Sequence, residues 1–73
     1  MAELTPQEFE VVATLLQSKE PARTAARLVM VEGRMPADAA RTAGILPQSV
    51  SRTVRRCRET HAFILTAYTK RLI

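Results

Sequence analysis

Tryptophan is missing from this 73-residue chain, and Phe9, Phe63 and Tyr68 are its only aromatic residues. Only Phe63 and Tyr68 lie in the basic second half, both outside its arginine block, so there is little to stack single-stranded bases on. Cys57 is the only cysteine, so no disulfide forms within the chain, and a lone thiol fits a reducing compartment. No apolar run approaches the roughly 20 residues that span a bilayer. The N-terminus lacks the basic segment followed by an apolar stretch that marks a secretory leader. These absences lead us to expect a cytoplasmic protein with no membrane partner.

Catalytic signatures are missing too. The sequence shows no nucleophile beside a partnered base, no glycine-rich phosphate loop and no acid pair suited to a pocket, so no enzyme is expected. Cys57 and His61 stand one helical turn apart, but two ligands leave a tetrahedral metal shell half empty. Only a two-fold dimer giving two ligands from each chain would close it. A buried thiol beside a seam histidine is the simpler expectation, with no metal and no cofactor. Strand-like alternation, internal repeats and low-complexity segments are also absent. The chain reads as all-α.

At this length a single domain with a thin core is expected, of a size that commonly gains support from oligomerisation. Charge is uneven along it. Residues 1–40 carry six acids against four Lys/Arg, whereas residues 41–73 carry one acid, Glu59, against seven. Between Ala39 and Arg58 there is no acid, while Arg41, Arg52, Arg55, Arg56 and Arg58 accumulate. A basic block of this kind is the electrostatic footprint of a polyanion partner.

Local signals divide the chain into helices. Thr5-Pro6-Gln7-Glu8 is a capping box with proline at the first helical position. Phe9, Val12, Ala13 and Leu16 follow at helical spacing, which predicts a first helix from about Thr5 to Gln17. A second begins after Pro21, with Ala22, Ala25, Ala26 and Val29 as its narrow apolar stripe and Gly33 as its stop. A third, alanine-rich, spans Pro36 to Ala43. A fourth starts at Pro47 and either runs unbroken to about Lys70 or restarts near Glu59, giving four to five helices in all. Along it the seam Val50, Val54, Cys57, His61, Ile64, Tyr68 advances by alternating steps of four and three.

The third and fourth helices have the spacing of a helix-turn-helix. Ala40 is small enough for a close crossing, Gly44 takes the turn, and Val50 and Val54 anchor the second helix. The face left outward carries side chains suited to a DNA duplex. Gln48, Ser51 and Arg52 are the candidates for base edges, Gln48 toward adenine and Arg52 toward guanine O6 and N7. Ser49, Arg55, Arg56 and, from the preceding helix, Arg41 are candidates for the phosphate backbone. Arg58 is open to pairing with Glu59 or with an acid of the first helix instead. The division expected is a DNA-binding helix-turn-helix domain over residues 1–58, with recognition helix 47–58, and a helical segment over residues 59–73. That segment offers an apolar surface, with Ile64, Leu65 and Tyr68 as candidate dimer contacts; packing back on the first two helices is the alternative.

From Leu4 to Arg56 the chain resembles the KorA/TrfB family of plasmid transcriptional repressors. The residues that carry the likeness are Leu4-Thr5 and Phe9; Ala26-Arg27, Val29, Val31 and Gly33; then Ala40, Gly44, Val50-Ser51, Val54 and Arg56. The likeness implies an all-helical DNA-binding domain, a homodimer and repression by occupancy of palindromic operators, in some members together with a second repressor. Two features depart from the pattern. The chain ends about 17 residues after Arg56, where better-known members carry a separate dimerisation segment, and Pro47-Gln48 opens the recognition helix with different residues. The rival expectation is a helical protein-interaction module whose arginines meet an acidic partner.

Overall fold

A computed structural model describes the backbone of residues 2–72 and the side chains of residues 2–68. Among the described residues the elements are α1 (Pro6–Leu16), α2 (Ala22–Met30), α3 (Pro36–Ala43) and α4 (Pro47–Leu72), with no strand. The all-α expectation holds, and the fourth helix runs unbroken past Glu59.

Each helix starts where its local chemistry permits. At α1 the Thr5 hydroxyl accepts from the Glu8 amide at 3.1 Å, and Glu8 Oε1 accepts from the Thr5 amide at 2.9 Å. Two amides that a helix start would leave unpaired are thereby satisfied. Leu4 and Phe9, the positions of a hydrophobic staple across that cap, are both buried. Pro36 and Pro47 open α3 and α4, where a missing amide costs nothing. Gly44 closes α3 in the left-handed region at φ +73°, and the Ile45 amide donates back to the Ala40 carbonyl at 3.0 Å. Glycine adopts that backbone without the Cβ strain other residues meet.

The core gathers Phe9, Val12 and Ala13 from α1, Ala25, Ala26, Leu28 and Met30 from α2, Ala39 and Ala40 from α3, and Val50, Val54 and Cys57 from α4. Both buried positions of α3 and two of the four on α2 are alanine, which lets the backbones approach closely there. The buried face of α2 differs from the expected stripe: Ala22 and Val29 are half-buried, while Leu28 and Met30 are buried. The physical reason is that α2 packs against all three other helices and so buries more than one narrow face. It also ends at Met30, before Gly33, and the Met30 carbonyl accepts from the amides of Glu3 and Leu4 at 2.8 and 2.9 Å. The N-terminal arm is thus laced to the middle of the fold.

Candidate nucleic-acid interface

The turn at Gly44 delivers α4 with one side sealed and the other open. Val50, Val54 and Cys57 are buried on the inner side. Burial pushes the Cys57 thiol up from its usual range, which keeps it neutral and unreactive. A helix turns about 100° per residue, so Gln48, Arg52, Arg55 and Glu59 fall within a sector of about 60° opposite that seam. All four are exposed. Pro47, Gln48, Ser51, Arg52 and Arg55 line one shallow depression on this outer surface. Ser51 is exposed on one flank, with Arg58 beyond it, while Arg56 and the half-buried Ser49 occupy the other. Ser49 also sits in the first turn, its amide donating to the Leu46 carbonyl at 3.0 Å.

The arginines fall into two groups. Arg23 pairs with Glu10 at 3.0 Å, Arg27 with Glu32 at 3.0 Å, and Asp38 receives both Arg34 at 3.7 Å and Arg41 at 3.4 Å. Arg58 forms a two-pronged contact with Glu3, both bonds 2.8 Å long. Among the described residues, Arg52, Arg55 and Arg56 have no carboxylate partner, and all three are exposed on α4. Arg41 remains highly exposed despite Asp38, so it still reaches solvent beside the turn.

The Arg58–Glu3 pair has a pH consequence. The two hydrogen bonds from the guanidinium hold the Glu3 carboxyl below the usual glutamate range. A carboxylate more acidic in the folded chain stabilises the fold above its ordinary value, about 4.3, and loses that contribution as pH falls through the lowered value. Both side chains are more than a third exposed, so the pair contributes below about 1 kcal/mol. Glu8, held down by the Thr5 amide, and Glu20, held down by the Thr24 hydroxyl, act in the same direction. Glu3→Gln should therefore shrink, without abolishing, the fall in melting temperature seen by circular dichroism on acidification below about pH 5. An acid-induced fall identical to that of the unsubstituted chain would refute this account of the pair.

Beyond Arg58 the seam of α4 loosens. His61 and Ile64 are half-buried, Ile64 packs against the chain's own core, and Glu8, Val11 and Leu65 join them around a depression between α1 and α4. Phe63, Leu65 and Tyr68 are exposed, at 74%, 53% and 60%. Of the three candidate dimer residues, Ile64 is thus engaged inside the monomer while Leu65 and Tyr68 face outward. No group of three or more potential metal ligands occurs among the described residues, and none of their helices is long and apolar enough to cross a membrane.

One feature of the basic surface has no signal in the sequence. The turn between α1 and α2 brings Lys19 and Ser18 to a groove whose other wall is Thr53 and Arg56 of α4. Lys19 is separated from Arg56 by 37 positions, and only tertiary packing joins them.

Compared with protein families, residues 4–70 match the family described as TrfB plasmid transcriptional repressor. Neither a curated protein nor a solved structure matches the chain.

Proposed function

Because the chain belongs to the TrfB plasmid transcriptional repressor family, we propose that it represses transcription by binding a palindromic operator as a homodimer. The observation that carries this reading is the set of three arginines without acidic partners, gathered on α4 while the other described arginines are paired. An exposed cation left without a partner at the outward face of a helix is available to a phosphate or a guanine.

Residues 47–58 of α4 enter the major groove with their N-terminal end against the bases. Gln48 offers an amide that matches the adenine edge, and Arg52 a planar fork that matches guanine O6 and N7. Ser51, small and exposed, lets the helix seat and bonds a base edge. Arg55, Arg56, Ser49 and Arg41 fix the register through the phosphates. Glu59 continues the same outward sector and would face the phosphates if the helix stayed in the groove, so the contact surface ends near Arg58. A single helix of this size offers few contacts. Two subunits on one face of the duplex, with half-sites about 34 Å apart, double them.

The dimer uses the distal part of α4, where Leu65 and Tyr68 present exposed apolar surface next to Ile64. Occupied operators exclude transcription in the cytoplasm, and a second repressor protein is a further partner compatible with the family. No catalytic step or cofactor enters this scheme. Selection of bound fragments from a random duplex pool tests it. An inverted-repeat consensus is the expected result, and a bound pool indistinguishable from the input at every salt concentration would overturn the proposal. An acidic protein partner, the rival, predicts that second outcome.

A further inference from the structure

We infer that the groove between the α1–α2 turn and α4 is a second DNA contact, a clamp for one backbone phosphodiester flanking the bases read by α4. It rests on the DNA-binding reading above and extends it to residues outside the helix-turn-helix. Three features of the groove point to an anionic oxygen ligand.

The first is charge. Lys19 and Arg56 stand at the groove, no carboxylate lines it, and neither cation has an ion-pair partner among the described residues. The nearest acid in sequence, Glu20, is turned away: its carboxylate accepts from the Thr24 amide at 2.9 Å and from the Thr24 hydroxyl at 2.6 Å. Glu10 is taken by Arg23.

The second is donor chemistry. The half-buried Ser18 and Thr53 add two hydroxyls. Neither hydroxyl bonds to a protein partner among the described residues. Two cations with two hydroxyls suit a phosphodiester, which offers one negative charge and unesterified oxygens that only accept.

The third is position. A helix about 10–12 Å across fills a major groove about 12 Å wide, so each flank of the helix runs beside one phosphate strand. Arg56 lies about 70° from the centre of the outward sector of α4, and Thr53 about 130°. On the opposite flank Arg58 is neutralised by Glu3. The flank toward Lys19 is therefore the one that keeps its positive charge, and the α1–α2 turn widens it beyond the recognition helix.

The clamp is tested with Lys19→Gln, an exposed position whose substitution leaves the core intact. Binding to a mixed-sequence duplex and to a selected duplex is measured by fluorescence anisotropy across salt concentrations. Removing one phosphate interaction from each subunit, two per bound dimer, should weaken both by about thirtyfold at about 0.15 M salt and flatten the slope of log K against log salt by roughly 1.8. Lys19→Arg should restore both. An unchanged slope for Lys19→Gln overturns the clamp. If Arg52→Ala still loses base preference in that experiment, the recognition helix stands and only the clamp has failed. If neither substitution alters binding, the DNA reading has failed with it.

Discussion

Arg52→Ala is expected to leave the protein folded and still attached to DNA while erasing its preference at one base pair. Arg52 is exposed, unpaired among the described residues and four positions from Gln48 on the same sector of α4. Removing it takes no atom from the core. A bidentate arginine–guanine contact discriminates by about 1–3 kcal/mol, or roughly 5- to 150-fold in relative affinity at that position. The companion Arg55→Ala should behave differently. One helical turn along, it is assigned to a phosphate in each subunit, so it should weaken all duplexes alike and flatten the salt slope of the dimer by roughly 1.8. Anisotropy titrations on a selected duplex and its single-base variants separate the two effects. Equal losses at every base variant for Arg52→Ala would place that side chain on the backbone, and two variants that bind like the unsubstituted chain would remove α4 from the interface.

How much of the fold and its basic surface is legible in the sequence depends on the range of the interaction. Caps and turns are local, so Thr5-Pro6-Gln7-Glu8 marks the start of α1, Pro36 and Pro47 the starts of α3 and α4, and Gly44 the turn between them. The outward sector of α4 follows from the same logic, since buried Val50 and Val54 leave Gln48 and Arg52 nowhere to point but out. Long-range contacts leave no such trace. The buried face of α2 departs from expectation because Leu28 and Met30 are covered by helices that a one-stripe pattern does not anticipate. Glu3 meets Arg58 across 55 positions, which removes from the basic block a cation that sequence counting includes. The same folding adds Lys19, which counting leaves out. The net change is a basic surface displaced toward the α1–α2 turn.

Phe9→Ala should be the most damaging single substitution to stability, and its effect on DNA binding should be indirect. Phe9 is fully buried and, with Met30, Val12, Val50 and Cys57, is among the largest side chains sealed in the fold. Emptying such a site costs about 3–5 kcal/mol, because the reduced burial is compounded by the cavity left behind. A domain of this length has roughly 4–11 kcal/mol in total. The variant should therefore melt at least about 12 °C lower, or show no cooperative transition by circular dichroism. Val11→Ala, two positions away and 55% exposed, should change stability by no more than about 0.5 kcal/mol; equal melting temperatures for the two would refute this placement of the core. Phe9 lies on α1, whereas the readout surface lies on α4, so the folded fraction should still recognise the same bases. A ligand that binds only the folded chain stabilises it in proportion to the logarithm of its concentration. Saturating duplex should thus restore part of the melting temperature in Phe9→Ala, with base preference unchanged, whereas Arg52→Ala should keep its melting temperature and lose the preference. That opposition separates residues that build the surface from residues that read with it.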